Sequence, residues 1–159
     1  MSRYRATLEY FGKPFAGWQR QKNGFSVQQA LEEAIKNFCG QDVITYVAGR
    51  TDAGVHALGQ VCHFEIEKKE TTKTIRNAIN FHLKPNPIIV LNVVEVDETF
   101  HARFSAKERH YRYKFINRAT PSALYSDLSW WVPQALDIDL MIEASKCLIG
   151  KHGFSTFRA

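Results

Sequence analysis

The hydrophobic pattern of the first forty residues predicts a strand and then a helix. Every second residue of the segment 3–10 is apolar, which is the period of a half-buried β-strand. After a loop punctuated by glycines, apolar residues recur at helical spacing from Val27 to Phe38. Ser26 can cap this helix, Gln29 three residues later completes a capping box, and Gly40 can end it.

The pattern continues in the same way to residue 96. Strands are predicted over residues 43–48, 60–66 and 88–96, the last as a buried strand because it is rich in β-branched residues. A weaker helical pattern over residues 72–83 is ended by Pro85 and Pro87. The predicted order is β-α-β-β-α-β. This is an α+β fold, the ferredoxin-like or split β-α-β unit with an antiparallel sheet, which RNA-recognition modules share.

After residue 99 the pattern begins again. A strand is predicted over residues 109–117, a loop over 119–137 and a helix over 139–149 that Gly150 closes, and residues 154–158 could start another strand. We therefore predict two domains: residues 1–99 as a complete ferredoxin-like repeat, and residues 100–159 as a linker with the first β-α part of a second, truncated repeat. Half a repeat exposes a strand edge and an apolar helix face. We accordingly expect a fragment of a two-repeat protein, or a chain that a partner completes.

Composition narrows the class of protein. A chain of 159 residues with 45% apolar and 23% charged residues is typical of a globular protein and argues against disorder. No apolar run approaches the roughly 20 residues that a membrane span needs, and the first residues do not resemble a secretion signal. The three cysteines are far apart, which favours reduced thiols. We therefore expect a cytoplasmic protein with no membrane contact.

The net charge of +5 is confined to one segment. Between residues 100 and 118 six bases stand against one acid, whereas the rest of the chain holds equal numbers of both. Tyr111, Tyr113 and Phe115 are interleaved with these bases. Cations alternating with aromatic rings suit a polyanion whose bases can stack, hence RNA or single-stranded nucleic acid. The alternative is a solvated strand face that is merely basic.

The loop over residues 49–57 brings chemically active groups together. It holds Arg50, Asp52 and His56 between two predicted strands, with Gly49 and Gly54 permitting tight turns. One interpretation is an Asp52 carboxylate kept ionised beside Arg50 and able to act as a nucleophile or base. The other is a structural aspartate that bonds its own backbone in the turn.

Other kinds of site lack support in the sequence. His56, Cys62 and His63 are close together but have no zinc-binding spacing, and Cys62 and His63 should point to opposite faces of one strand, so no metal site is expected. The chain contains no Walker A motif, no dinucleotide-binding glycine pattern and no nucleophile-elbow motif.

Four segments together resemble one enzyme family. Residues 48–57 read Ala-Gly-Arg-Thr-Asp-Ala-Gly-Val-His-Ala and closely resemble the catalytic signature of the tRNA pseudouridine synthase A family. Three further segments resemble the same family and occur in the family's order along the chain. They are residues 17–21 (Gly-Trp-Gln-Arg-Gln), residues 100–105 (Phe-His-Ala-Arg-Phe-Ser) with Arg109, Tyr111, Arg112 and Tyr113, and residues 154–158 (Phe-Ser-Thr-Phe-Arg). The resemblance covers essentially the whole chain.

The resemblance implies a reaction and a substrate. Enzymes of this family isomerise uridine to pseudouridine in the anticodon stem-loop of tRNA, at tRNA positions 38 to 40, and need no metal or organic cofactor. They resemble one another as homodimers whose chains each hold two ferredoxin-like repeats, with the active site in the cleft between the repeats. By similarity Asp52 is the catalytic aspartate, Tyr111 packs on the target uracil, and Arg50 fills the stack when the nucleotide flips out.

Four further arginines are candidates for RNA contacts. Arg103, Arg109 and Arg112 lie in the basic segment and Arg20 lies in the matching segment 17–21. Arginine contacts to phosphate position an RNA without reading its sequence.

The resemblance also sets a limit on activity. In the family the second repeat supplies a basic partner for the aspartate and an apolar wall for the uracil, and neither can be assigned in this chain. We therefore expect weak or absent turnover from these 159 residues alone. The alternative function is a non-catalytic RNA-binding module on the same scaffold.

Overall fold

The computed structural model describes residues 1–157, and the chain forms two compact units, Met1–His110 and Tyr111–Ala159. Residues 100–110 belong to the first unit, where the Ala102 N–H donates to the His63 ring. The division into repeats after residue 99 stays a prediction. No described helix has the length and apolar character of a membrane span.

The first unit is a four-stranded sheet with two helices on one face. The strand order is β2-β3-β1-β4, and each neighbouring pair is antiparallel. In chain order the elements are β1 Ser2–Tyr10, α1 Val27–Cys39, β2 Tyr46–Val47, β3 Ala57–Ile66, α2 Thr72–Leu83 and β4 Ile88–Val96. The β-α-β-β-α-β order agrees with the prediction, as does the α+β class with an antiparallel sheet.

Local signals in the sequence set the ends of α1. The Ser26 hydroxyl accepts the Gln29 N–H at 3.1 Å. Gly40 has a φ of 75°, and its N–H donates to the Lys36 carbonyl at 2.7 Å, which is how a left-handed glycine ends a helix. Within residues 1–157 only this half of the expected capping box forms, and the Gln29 side chain instead donates to Glu33 at 2.9 Å.

The core lies between the helices and one face of the sheet. The alternate residues of β1 that the pattern predicts to be inward are buried, as are the apolar faces of α1 and α2. Each aliphatic side chain removed from water in this way stabilises the fold by about 1.5–3 kcal/mol. The largest fully buried side chains of this core are Trp18, Phe64, Leu8, Leu31, Ile35, Ile66, Ile75, Ile79, Leu83 and Ile88.

The prediction for the second strand was wrong in extent. Residues 43–48 were expected to be extended, but β2 contains only Tyr46–Val47. The backbone of Thr45 is bonded to helix α1 instead: its N–H donates to Glu32 at 2.9 Å and its carbonyl accepts from Gln28 at 3.1 Å. Tertiary contacts with side chains therefore replace ladder hydrogen bonds there.

Two other strands also differ from expectation. β3 begins at Ala57, three residues before the predicted start, because Ala57 pairs with Tyr10 past a register shift. β4 has the predicted bounds but is only half-buried, with Ile89 and Leu91 exposed. β4 is an edge strand, and the helices cover only one face of the sheet.

The second unit contains two short parallel strands, β5 Phe115–Asn117 and β6 Trp130–Val132, and the helix α3 Ile138–Ser145. Of the predicted strand 109–117 only β5 forms, because residues 109–114 have no partner strand among the described residues. β6 lies within the predicted loop 119–137. The Asn117 amide group joins this region by donating to the Val132 carbonyl at 2.8 Å.

The end of the described chain differs most from the prediction. α3 ends at Ser145 and continues as a 3-10 turn over Lys146–Leu148, so the predicted helix 139–149 is shorter than expected. Ser155–Phe157 forms a 3-10 turn, so the predicted strand is wrong there, and Arg158 lies outside the described residues. No side chain of α3 is buried, and Leu140 and Ile142 are 68% and 56% exposed.

Candidate active site and nucleic-acid interface

Hydrogen bonds anchor the loop that carries Asp52 on both sides of Arg50. The Gly49 carbonyl accepts from the Gln60 amide at 2.8 Å. The Thr51 carbonyl accepts the Trp18 N–H at 2.9 Å, and the Thr51 hydroxyl lies 2.8 Å from the Tyr10 hydroxyl. Burial is the main cause that raises the pKa of Tyr10, so this phenol stays neutral. These anchors come from β1, from the loop that follows it and from β3.

Two glycines let the loop after β1 approach this anchored loop closely. Gly17 has a φ of 98°, and a Cβ there would lie 2.7 Å from the Thr51 carbonyl oxygen. A Cβ on Gly12 would lie 1.9 Å from the Val55 carbonyl oxygen, and the Gly12 N–H donates to Nδ1 of His56 at 3.0 Å. The sequence marked both glycines only as loop punctuation. Their close approach follows from tertiary contacts, which no local pattern reveals.

The Asp52 side chain takes no part in building its own turn. The turn is closed by the backbone, with the Val55 N–H donating to the Asp52 carbonyl at 3.2 Å and Gly54 at a φ of 79°. Asp52 is exposed, and its carboxylate makes no hydrogen bond or ion pair with any residue in the range 1–157. The structural interpretation of Asp52 therefore loses its basis.

The expected ion pair between Arg50 and Asp52 does not form within residues 1–157. Both side chains are exposed and lie on either side of the anchored Thr51. An exposed cation and an exposed anion both stay hydrated and gain little by pairing. The loop thus presents a carboxylate and a guanidinium to solvent from one fixed backbone.

The four candidate RNA-binding arginines have different surroundings. Arg112 and Arg103 are exposed, and the Arg103 guanidinium lies 5.8 Å from the Phe104 ring centroid. Arg20 lies 3.4 Å from the Glu32 carboxylate. The Arg109 guanidinium donates to the Ala48 carbonyl of the first unit. Arg103 and Arg109 are brought together, since Arg109 donates to the Arg103 carbonyl at 3.3 Å.

Tyr111 and Arg112 open the second unit. The Tyr111 ring is 70% exposed, and Tyr113 is 94% exposed. An exposed aromatic ring beside a guanidinium can stack on an unpaired base. In this unit a cleft of about 850 Å³ is lined by residues that include Tyr113, Phe115 and Tyr125.

Sequence reasoning missed a histidine cluster on the sheet face opposite the helices. The His63 ring is buried; its centroid lies 5.0 Å from that of Tyr46 and 4.7 Å from that of His101. Nδ1 of His63 accepts the Ala102 N–H at 3.1 Å. Burial, with the nearby His101 and Arg3, lowers the pKa of His63 to about 4. His63 is therefore neutral at physiological pH, which suits its role as an acceptor.

Arg3 fixes the same segment to the sheet. Its guanidinium donates to the Phe100 carbonyl at 2.8 Å and to the Glu98 carbonyl, and it pairs with the Glu65 carboxylate. Residues 98–102 are thus held immediately before Arg103. No signal in the sequence could find this contact, because its partners are more than sixty residues apart.

No group of three or more potential metal ligands comes together within residues 1–157. Cys62 and His63 point to opposite faces of β3, as predicted. Cys62 lies in the main core, where burial raises the pKa of its thiol. His63 packs against Tyr46 on the other face.

Comparison with known proteins places this loop in a family. A family model described as tRNA pseudouridine synthase matches residues 6–105. The tRNA pseudouridine synthase A of Parvibaculum lavamentivorans strain DS-1 is 51% identical over 159 residues, which cover 100% of this chain and 65% of that protein. The protein of the same name from Wolbachia pipientis wMel is 54% identical over 158 residues, 99% of this chain and 64% of that protein. For Paramagnetospirillum magneticum strain AMB-1 the identity is 52% over 159 residues, 100% of this chain and 62% of that protein.

The chain therefore spans less than two thirds of the length of these relatives. The matched region begins within β1 and contains the loop over residues 49–57 and the segment up to Ser105. The resemblance that the four sequence segments indicated is confirmed. The chain belongs to the tRNA pseudouridine synthase family.

Proposed function

We propose that this chain carries the catalytic loop of an enzyme that isomerises uridine to pseudouridine in the anticodon stem-loop of tRNA, with Asp52 as the catalytic carboxylate. One observation carries the proposal. In a chain of this family, Asp52 presents an exposed carboxylate with no partner among residues 1–157, on a backbone anchored at Gly49 and Thr51. A carboxylate that builds no part of its own turn is available for chemistry.

The proposed reaction is an isomerisation within one nucleotide. The bond from N1 of the uracil to C1′ of the ribose breaks, a bond from C5 to C1′ forms, the proton on C5 leaves to solvent, and N1 gains a proton. A carboxylate could act by attack at C1′, by addition at C6, or by removing a proton from C2′. Asp52 is the proposed participant in each of these three routes.

The target uridine must leave its stack before its glycosidic bond can be reached. Flipping a nucleotide out of a stem costs a few kcal/mol, and stacking on an aromatic ring returns about 1–3 kcal/mol per base. We propose Tyr111 as that ring and Arg50 as the cation that fills the vacated position. The exposure of both side chains supports this assignment.

We propose Arg103 and Arg112 as phosphate contacts. Both guanidinium groups are exposed, and they lie in the segment that holds all of the net positive charge. Arg20 has a carboxylate neighbour in Glu32, so its contribution to RNA binding is expected to be smaller.

The proposal extends to architecture and location. The sheet order β2-β3-β1-β4 supports a ferredoxin-like repeat for the first unit. The second unit would then begin another repeat of the pseudouridine synthase fold. We further propose that the complete protein is a cytoplasmic homodimer, which equilibrium sedimentation of a chain of the relatives' full length would test.

Release of tritium from tRNA that carries 5-tritiated uridine tests the role of Asp52, because the C5 proton leaves only when pseudouridine forms. Because turnover of this chain is expected to be weak or absent, the assay uses single-turnover conditions with excess protein and is repeated with a chain of the relatives' full length. Asp52→Asn should abolish release. Asp42→Asn is the matched control, because Asp42 is an exposed carboxylate that pairs with Lys36. Release that persists in Asp52→Asn would refute the assignment.

The same variants separate the enzyme from a non-catalytic RNA-binding module. A binding module would release no tritium at any chain length, yet Tyr111→Ala and Arg112→Ala would weaken its affinity for tRNA. Asp52→Asn would leave that affinity unchanged or raise it, because it removes a negative charge near phosphate. The unpartnered carboxylate of Asp52 favours the enzyme.

A further inference from the structure

We propose that Arg109 is a positioning residue that holds the catalytic loop against Arg103, in the part of the basic segment that belongs to the first unit, and not a phosphate contact. Its Nη2 donates to the Ala48 carbonyl at 2.7 Å, and its Nε lies 3.3 Å from the same oxygen. Nη2 also donates to the Arg103 carbonyl at 3.3 Å. One guanidinium thus joins Ala48, just before the loop, to Arg103 of the basic segment. The inference rests on the proposed function for its catalytic consequence.

Arg109 differs in origin from the other anchors of this loop. The Gly49 carbonyl is held by Gln60 of β3. Thr51 is held by Tyr10 of β1 and by Trp18 of the loop after β1. Within residues 1–157 Arg109 is the anchor that comes from the segment after β4. It therefore couples the position of the loop to the position of residues 103–109 in the first unit.

The chemistry of an arginine suits this task. Its guanidinium is planar and holds several N–H donors in a fixed fork, so one side chain can bond two carbonyl oxygens in different segments. A lysine at the same position carries a compact charge and can replace one of these bonds but not the fork geometry. Two of the three guanidinium nitrogens already donate hydrogen bonds to carbonyl oxygens. Fewer N–H donors of Arg109 therefore remain for a phosphate.

The position of Ala48 makes the contact relevant to the reaction. Ala48 lies two residues before Arg50 and four before Asp52. A displacement of a reacting group by about 1 Å can lower a reaction rate by about 100-fold. Releasing the Ala48 carbonyl should therefore disturb catalysis more than binding.

Amide hydrogen exchange tests the positioning role without any need for activity. Arg109→Gln in the 159-residue chain should speed exchange of the amides of residues 48–55 about tenfold, the effect expected for one lost hydrogen bond to a charged group. The same lost contact lowers the stability of the whole first unit, so the melting temperature should fall slightly, and exchange in the centres of β1 and β3 should rise by no more than the factor seen in the loop. Arg112→Gln removes an exposed arginine of the same segment and should leave exchange in the loop unchanged. Arg109→Lys should give an intermediate rate.

The salt dependence of tRNA binding tests the other half of the proposal. Losing one phosphate contact lowers the slope of log affinity against log salt concentration by about 0.7–0.9. Arg109→Gln should leave the slope unchanged. A slope lowered by that amount, or unchanged exchange in the loop, would overturn the proposal.

Pseudouridine formation separates this inference from the proposed function. In a chain extended to the relatives' length, Arg109→Gln should lower the single-turnover rate at saturating tRNA while the affinity for tRNA stays the same. If the wild-type chain extended to the relatives' length forms no pseudouridine, the proposed function fails. Exchange and salt slope still decide the role of Arg109 in that case.

Discussion

Acidification should destabilise the first unit through His63. The ring is neutral and accepts the Ala102 N–H, and its pKa is lowered from 6.5 to about 4, chiefly by burial. A lowered pKa means that the folded chain binds fewer protons than the unfolded chain. The contribution of His63 to stability is therefore fully present above pH 6.5 and is lost progressively as the pH falls towards 4.

The size of this effect follows from the two pKa values. For one group whose pKa is lowered in this way, the free energy of unfolding falls by about 2.5 kcal/mol between pH 7.5 and pH 4.5. Other charged or titratable groups face His63. These are His101, Arg3 and Glu65, with Tyr46 and Arg5 paired beside it in the sheet.

The measurement compares two chains, so that carboxylates common to both cancel. His63→Asn keeps an oxygen acceptor for the Ala102 N–H but cannot become charged. Unfolding in urea is followed between pH 7.5 and pH 4.5 by tryptophan fluorescence, to which Trp18 contributes as the buried ring and Trp130 and Trp131 as exposed ones. The wild type should lose about 2.5 kcal/mol more than the variant. His110→Asn removes an exposed histidine and should behave as the wild type. Parallel stability curves for wild type and His63→Asn would refute the reasoning.

Two further substitutions test how the loop that carries Asp52 is held. Gly12→Ala should destabilise the first unit by about 1–3 kcal/mol, because its Cβ would lie 1.9 Å from the Val55 carbonyl oxygen. Gly59→Ala is the control, since a Cβ there meets nothing within 4 Å. Equal melting temperatures for the two variants would contradict the close approach. Thr51→Val should lower the free energy of unfolding by about 1 kcal/mol and speed amide exchange of the loop, because it removes the hydroxyl bonded to Tyr10. Thr51→Ser keeps the hydroxyl and is the control. The same loss of stability in Thr51→Ser would show that the hydrogen bond is not the cause.

Local signals predicted much of the first unit. The alternation in β1, the Ser26 cap and the Gly40 end of α1 are properties of neighbouring residues, and all three are present in the structure. The short β2 could not be predicted in the same way. Its extent depends on Gln28 and Glu32 of α1 reaching the backbone of Thr45, and such contacts join residues that the chain brings together only on folding.

The candidate site shows the same division. Asp52 and Arg50 were identified from a contiguous motif whose residue types suit the chemistry. Their pairing was expected from proximity in sequence, and it does not form because both side chains point to solvent. Arg109 was expected to contact RNA because it is basic. Its bond to the Ala48 carbonyl joins residues 61 positions apart, and composition carries no information about such a contact.

The arrangement of anchors explains why Arg50 and Asp52 remain available. Hydrogen bonds hold the carbonyls of Ala48, Gly49 and Thr51 and the Thr51 hydroxyl, so the backbone is fixed while the two side chains between and after these points project outward. Ordering a free loop against an RNA would cost about 1–2 kcal/mol for each residue. For residues 48–52 that amounts to roughly 5–10 kcal/mol, which is more than one stacked base returns. Because folding has already ordered this backbone, the RNA binding that we propose would need to order only the two side chains. A variant that frees one anchor should therefore reduce the reaction rate while leaving Asp52 itself intact.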